Sequence, residues 1–183
     1  MLNRAIALFL LICLAPIFLL VALFIIIEDG YPIFFKQKRV GINSSFFSIY
    51  KFRSMKKDTP NVATHLLTNP ERYLLKIGAF IRKTSLDEFP NLINIIKGEM
   101  VFVGPRPALY NQDDLMNLRV TAGVDQLKPG ITGWAQINGR DEISIEEKVK
   151  FEKEYLEKKS LLFDVKILWL TFLKVLKKDG INH

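Results

Sequence analysis

The sequence predicts an α+β fold that is mainly helical, with a proline-broken re-entrant membrane helix at the N-terminus, interfacial amphipathic helices and a few short strands. An apolar run without any charge covers residues 5–27 and contains a proline. Apolar residues recur at helical spacing in later segments that also carry many charges, and short strand-like runs lie between them. We therefore expect residues 1–30 to form a membrane anchor and residues 31–183 to form one further domain.

Composition narrows the classes of partner and of site. The chain of 183 residues has 26 Lys and Arg against 19 Asp and Glu, a formal net charge of +7. This excess suits an anionic partner, namely nucleic acid, a phosphorylated small molecule or an anionic membrane face. The single cysteine, Cys13, excludes a disulfide framework. His65 and His183 lack the spacing of zinc ligands, so we expect no zinc chemistry.

The N-terminal run, Ala5–Ile27, is the first predicted element. A straight helix of this length would reach about 35 Å, enough to cross a bilayer. Pro16 divides the run into halves of roughly 17 Å each. The positive-inside rule selects no side, because basic residues flank both ends: Arg4, Lys36, Lys38 and Arg39. A hairpin that enters and leaves by one face fits both facts, and a single spanning helix remains the alternative.

Two short strands are predicted around a basic loop at residues 36–41: Pro32–Phe35 and Phe46–Phe52. Side chains alternate between the two faces of a strand. In the segment YKFRSM, Lys51 and Arg53 would therefore share one face while Phe52 points to the other.

Three later segments are predicted to be helical: Glu71–Lys83, Ser144–Lys159 and Leu161–Lys178. The first has apolar residues at helical spacing and a basic polar side, so it packs on a core or lies in a membrane interface, and we favour the interface. The second is highly charged and predicted to be solvated. In the third, Trp169 and Phe172 are expected to face lipid, with a buried core helix as the alternative.

Two adjacent carboxylates, Asp87 and Glu88, mark the segment SLDEFPNLINIIKG. Ser85 with Glu88 three residues later matches a capping box, which predicts a helix that begins here. Asp87 would lie in its first turn, where the helix N-terminus favours the ionised carboxylate. Taken alone, this segment is also explained as an ordinary helix start.

Glycine and proline concentrate in two further segments. Val101–Val103 is a predicted strand that leads into GPRP, where two prolines hold Arg106 in a restricted backbone. A guanidinium fixed in this way suits a phosphate, since it donates in a planar fork. The segment Pro129–Arg140, PGITGWAQINGR, reads as a loop that approaches a ligand closely, or as a tight structural turn with a core tryptophan.

Together and in this order, the proline-broken helix, YKFRSM, SLDE, GPRP and PGITGWAQINGR resemble the monotopic phosphoglycosyltransferases. These bacterial sugar transferases carry out the first membrane step of glycoconjugate synthesis. The resemblance covers nearly the whole chain and implies the minimal catalytic form, at the cytoplasmic membrane, with residues 31–183 as the cytosol-facing catalytic domain. Ala15-Pro16 departs from the family's usual Ser-Pro break, which leaves the pose of the hairpin open.

The resemblance implies an activity and roles for single residues. Family members transfer a sugar-1-phosphate, usually from a UDP-sugar, to polyprenyl phosphate and release UMP. Asp87 matches the family's nucleophile, which holds the phospho-sugar covalently, and Glu88 matches its acidic partner. Both are implied ligands of Mg²⁺, the expected cofactor. Four basic residues match substrate- and phosphate-binding positions: Lys51, Arg82, Arg106 and Arg140.

A second function competes with this one. The positive charge also fits a non-enzymatic, membrane-attached module that binds anionic lipid or nucleic acid. The basic residues are scattered among Gly/Pro loops and form no single stripe. We therefore expect an enzyme whose partners are a UDP-sugar, polyprenyl phosphate and membrane lipid, and no nucleic acid. The sequence does not identify the sugar or the oligomeric state.

Overall fold

The computed structural model describes residues 1–60, 68–139 and 143–177. Its fold is α+β and mainly helical, as the sequence predicts. The described helices are α1 Leu2–Cys13, α2 Ala15–Asp29, α3 Lys76–Lys83, α4 Asn91–Lys97, α5 Asp113–Thr121, α6 Trp134–Asn138, α7 Ile145–Lys158 and α8 Leu161–Lys177. The described strands are β1 Phe34–Val40, β2 Phe46–Phe52, β3 Val101–Val103 and β4 Gly130–Thr132. Single 3₁₀ turns cover Ile42–Ser44, Pro70–Tyr73, Leu86–Glu88 and Val124–Gln126.

The N-terminal apolar run is broken at the predicted place. The α1 helix ends at Cys13 and α2 begins at Ala15, with Pro16 in the first turn of α2, where its missing N–H leaves no bond unmade. No single described helix has the length and hydropathy to cross a membrane. The pair of α1 and α2, bent by 61°, meets those criteria together.

Both halves of this broken helix pack on the rest of the chain along one side. In α1, Ala7 is buried against β2 and α4 through Ile49 and Ile95. In α2, Val21 and Ile25 are buried in a second cluster. The opposite side of the pair is exposed and apolar: Ile6, Leu8, Phe9, Ile12, Ile17, Leu19, Leu20, Leu23, Phe24 and Ile27.

The first strand is longer than predicted, and the prediction of a basic loop after it is wrong. The β1 strand pairs with β2 as an antiparallel hairpin, with Phe35 opposite Lys51 and Arg39 opposite Phe47. Most of the predicted loop at residues 36–41 is therefore strand. It pairs with β2, whose Ile49 and Phe52 are buried in the core. The hairpin turn instead lies at Ile42–Ser44, where Asn43 and Ser44 take a positive φ.

Arg53 follows β2 and ties the hairpin to the end of α2. Its Nε donates to the Pro32 carbonyl oxygen at 2.7 Å, and its Nη1 is paired with the Asp29 carboxylate. The broken helix and the strand that carries Lys51 are therefore joined by a buried guanidinium.

The predicted helix Glu71–Lys83 is two shorter pieces, the turn Pro70–Tyr73 and α3. Between them Leu75 is extended, and its N–H donates to the Ser54 carbonyl oxygen at 3.0 Å. Pairing with the chain after β2 thus interrupts the helix. Leu75 and Ile81 are buried in the cluster that receives α2, whereas Phe80 is exposed.

The C-terminal half contains a third core cluster, between β3, α7 and α8. The Tyr155 hydroxyl donates to the Val103 carbonyl oxygen at 3.1 Å and lies 2.7 Å from Asp164 Oδ1. Ser144 and Glu147 form a complete capping box at the start of α7. The apolar residues of α8 that face outward are Leu161, Leu162, Val165, Leu168, Trp169, Phe172 and Val175. Lys178, the predicted last residue of this helix, lies outside the described residues.

Candidate active site

The two carboxylates lie in a 3₁₀ turn that packs against β2 and α3, and the capping box predicted at Ser85 does not form. Ser85 takes φ 56°, its side chain makes no capping bond, and only the turn Leu86–Glu88 follows before Pro90. The helix restarts at Asn91, because an internal proline would break the hydrogen-bond ladder. Asp87 and Glu88 therefore lie before α4 and not inside its first turn.

Asp87 is buried, with 9% of its surface exposed, and this burial raises its pKa to about 6. Lys51 opposes the increase, the neighbouring charge of Glu88 adds to it, and Arg82 opposes it. The sequence predicted that a helix N-terminus would favour the ionised form. The structure shows the opposite direction, since desolvation outweighs the nearby cations. At neutral pH the carboxylate is still mostly ionised.

Glu88 lies between two of the predicted basic residues. Lys51 Nζ contacts Glu88 Oε1 at 2.7 Å, and Arg106 Nη2 lies 3.5 Å from the same oxygen. Lys51 comes from β2 and Arg106 from the segment after β3, so two separate parts of the chain meet at this carboxylate.

Arg82 approaches from the last turn of α3. Its Nε donates to the Ser54 hydroxyl oxygen at 2.8 Å. Burial lowers the pKa of Arg82, and the charge of Asp87 acts in the opposite direction. The side chain is therefore oriented by Ser54 and interacts electrostatically with Asp87.

The segment Gly104–Pro107 is fixed through its backbone. The parallel pair β3 and β4 brings Gly104 against Gly130, and a Cβ on Gly130 would lie 2.2 Å from the Gly104 nitrogen. The Gly130 N–H donates to the Pro105 carbonyl oxygen at 2.9 Å. Arg119 Nη2 donates to the Arg106 carbonyl oxygen, also at 2.9 Å. In PGITGWAQINGR, Gly130 and Gly133 thus pack closely against the backbone of Gly104, and the described part of the segment forms β4 and α6 in place of one continuous loop.

The structure brings five of the six predicted site residues together: Lys51, Arg82, Asp87, Glu88 and Arg106. Arg140 lies outside the described residues. Sequence reasoning missed Arg39, which lines the same pocket as Lys51, Glu88 and Arg106. In a strand, Lys38 and Arg39 point to opposite faces, so only one of them faces the pocket. The prediction of a loop at residues 36–41 hid this difference.

Asn91, which also lines the pocket, has a buried polar atom without a hydrogen-bond partner in the described part of the chain. This atom is Oδ1, and the residue as a whole is buried. Such an atom is costly unless a ligand, ion or water completes its bonding. The described residues contain no cluster of three or more His, Cys, Asp or Glu that would hold a metal ion. The arrangement supplies a mostly ionised carboxylate beside several cations, as transfer of an anionic group requires.

Comparison with known proteins assigns the family. The model of the bacterial sugar transferases matches residues 1–178. The chain is 44% identical over 177 residues to the uncharacterized sugar transferase EpsL of Bacillus subtilis, covering 97% of this chain and 86% of that protein. It is 37% identical over 180 residues to the UDP-glucose:undecaprenyl-phosphate glucose-1-phosphate transferase of Escherichia coli, covering 94% of this chain and 39% of that protein.

A third relative is the undecaprenyl-phosphate galactose phosphotransferase of Salmonella typhimurium. It is 37% identical over 171 residues, covering 84% of this chain and 35% of that protein. The chain thus spans well under half of the length of these last two relatives and most of EpsL. The match to the family model extends over nearly the whole sequence, so the chain belongs to the bacterial sugar transferase family.

Proposed function

We propose that this enzyme, a phosphoglycosyltransferase by family, transfers a sugar-1-phosphate from a UDP-sugar to polyprenyl phosphate and releases UMP. The observation that carries the proposal is the buried carboxylate of Asp87 beside Lys51, Arg82 and Glu88. The names of the relatives from Escherichia coli and Salmonella typhimurium support the donor class and undecaprenyl phosphate as the acceptor. The proposed setting is the first membrane step of polysaccharide synthesis.

The proposed reaction has two displacements at one phosphorus atom. An Asp87 carboxylate oxygen attacks the phosphorus that carries the sugar, an O–P bond forms, and the bond to the oxygen of UMP breaks. A phosphate oxygen of the acceptor then attacks the same phosphorus and releases the Asp87 carboxylate. Lys51, Arg82 and Arg106 reduce the repulsion between the anions that meet in each step.

Magnesium is the proposed cofactor, and the donor atoms fit it. Mg²⁺ prefers oxygen ligands and retains several waters, so one or two carboxylates suffice. Asp87 and Glu88 would hold the ion, and Asn91, which lines the pocket of Glu88, carries a buried Oδ1 without a hydrogen-bond partner among the described residues. When bound, the ion neutralises charge on the diphosphate.

The test is UMP release from a panel of UDP-sugars by detergent-solubilised protein with Mg²⁺ and polyprenyl phosphate. Release from a donor that depends on the acceptor supports the reaction. Salt-sensitive binding to nucleic acid with no turnover of any sugar would instead favour a binding module.

The rate should follow the ionisation of Asp87. Burial raises the pKa of this carboxyl group to about 6 in the metal-free protein, so UMP release should increase as the pH rises towards neutral and then level off, with bound Mg²⁺ shifting the increase to lower pH. Stability should change in the opposite direction. At Asp87 the folded state binds the proton more tightly than the unfolded state does, so the contribution of this group to the free energy of unfolding falls as the pH rises through about 4 to 6. Initial rates and thermal melts over this range, with Asp87→Asn as the control for the melts, check both trends. A rate that is flat or falls with pH would contradict the assignment.

We further propose that α1 and α2 form a re-entrant hairpin at the cytoplasmic membrane, with the exposed faces of α3 and α8 in the interface. The bend of 61°, the packing of both helices on one body and their exposed apolar side support this pose. It would hold the carboxylates at the depth of a lipid phosphate.

The pose predicts that both ends of the hairpin lie on the cytoplasmic side. Single cysteines introduced at Leu2 and at Tyr31, both exposed, in a Cys13→Ser background should both resist a membrane-impermeant thiol reagent in intact cells and react after lysis. Labelling of only one of the two sites in intact cells would contradict the hairpin and support a single spanning helix.

A further inference from the structure

Arg39 lies at the wall of the pocket, and its hydrogen-bond acceptors among the described residues are neutral. Its Nη1 donates to the Pro107 carbonyl oxygen at 3.0 Å, and its Nε donates to Gln37 Oε1 at 3.1 Å. Its Nη2 also donates to Gln37 Oε1. A guanidinium carries five N–H groups, so these three bonds orient its plane and leave one hydrogen on each terminal nitrogen for a further acceptor.

The described lining of the pocket carries more positive than negative charge. Its described lining contains three cations, Arg39, Lys51 and Arg106, and one carboxylate, that of Glu88. Burial lowers the pKa of Arg39 to about 10, the neighbouring charge of Arg106 acts in the same direction, and Glu88 opposes both. A buried cation that its surroundings do not neutralise is costly, and a bound anion offsets this cost.

We propose that Arg39 binds a phosphate group of the nucleoside diphosphate donor, as a further substrate-binding residue opposite Arg106. The two guanidinium groups come from the β1 strand and from the GPRP segment, and both act in one pocket with Glu88. Each donates in a planar fork, the geometry that matches phosphate oxygens. The identity of the anion as a nucleoside diphosphate rests on the proposed function, whereas the anion site rests on the pocket alone.

The test measures the affinity for UDP in the presence of Mg²⁺, by titration calorimetry on the detergent-solubilised full chain. Arg39→Met should raise the dissociation constant about 10- to 100-fold, the usual effect of losing a hydrogen bond to a charged group. Lys38→Met is the matched control, because it removes the same charge from the residue that precedes Arg39 in β1. Lys38 is exposed and lies over the ring of Phe46, and we expect less than about a twofold change.

Two outcomes overturn the inference: UDP affinity unchanged in Arg39→Met, or an equal loss in Lys38→Met. If Arg39→Met does not fold, Arg39→Lys decides. Lysine keeps the charge but lacks the planar fork of donors. A loss of UDP affinity of at least about fivefold without a lower melting temperature therefore supports the contact, and an unchanged affinity overturns it.

UDP binding needs no turnover. A chain that binds UDP through Arg39 and yet releases no UMP from any sugar refutes the transfer reaction and leaves the anion site standing.

Discussion

Replacement of Asp87 by asparagine is expected to lower the rate of UMP release at least about 10³-fold and to raise the thermal stability of the protein. Asparagine has nearly the same size and keeps polar bonding in the turn. It has no anionic oxygen to attack phosphorus, so the first displacement loses its nucleophile and the covalent intermediate that the acceptor attacks in the second displacement does not form. Initial rates with the preferred UDP-sugar, compared with the parent at equal protein concentration, give the first result.

The gain in stability follows from the raised pKa. A carboxyl group whose pKa is about 6 in the folded state and near 3.8 otherwise destabilises the fold at pH 7 by about 2–3 kcal/mol, since burial outweighs the attraction of Lys51 and Arg82. An uncharged amide removes this cost. For a protein of this size, the melting temperature should rise by roughly 5 °C.

The control is Asp58→Asn, which removes the same charge from an exposed position. It should leave both rate and melting temperature near those of the parent. Near-parent activity in Asp87→Asn would refute the nucleophile. Loss of activity with a lower melting temperature would show that the variant is inactive because its fold is damaged. It would also contradict the conclusion that the buried Asp87 carboxylate destabilises the protein.

The carboxylate segment shows where sequence reasoning succeeds and where it fails. Two stretches carry the same pattern, SLDE at Ser85 and SIEE at Ser144, and only the second forms a capping box. The two stretches differ because Pro90, two residues after Glu88, prevents a continuous helix. Ser85 itself takes a left-handed backbone conformation, which is not that of a helix N-cap. The ordered motifs named residues that the structure brings together, but a local pattern did not reveal that the Asp87 carboxylate would be buried.

Arg39 shows a different limit. Helices and apolar faces follow from periodicity, and these predictions mostly held. Whether a basic stretch is loop or strand depends on a partner strand about ten residues away, as in the register that sets Arg39 opposite Phe47. In the same way, the glycines of PGITGWAQINGR suggested a ligand loop, yet Gly130 is required by contact with Gly104. Non-local packing determines both features.

Loss of one partner of the buried Arg119–Glu152 pair is expected to destabilise the protein by about 3–5 kcal/mol. The α5 helix supplies Arg119 and α7 supplies Glu152, with 6% and 2% of their side chains exposed. Arg119 Nε donates to Glu152 Oε2 at 2.7 Å, and Nη2 donates to the other carboxylate oxygen. In Glu152→Leu the guanidinium remains buried without its counter-charge. A drop in melting temperature of roughly 10 °C should follow.

The same pair should also act on the active site as a positioning device. Arg119 Nη2 donates to the Arg106 carbonyl oxygen, so it fixes the backbone from which the Arg106 side chain reaches Glu88. The double variant Arg119→Met with Glu152→Leu replaces the ion pair by apolar groups of similar volume and should recover much of the stability. It leaves the Arg106 carbonyl oxygen without its donor.

Stability and catalysis should therefore separate in the double variant. We expect kcat/KM to stay about 10- to 100-fold below the parent, with most of the change in kcat, because small displacements of charged groups near the reacting phosphorus are costly. Lys158→Met on the same helix removes an exposed partner of Glu154 and is the matched control, with less than about 0.5 kcal/mol expected. Full recovery of both the rate and the stability would show that the Arg119–Glu152 pair has a structural role only. Recovery of stability alone would mean that the buried Arg119 of α5 positions Arg106, so that an ion pair between α5 and α7 also affects the proposed substrate site.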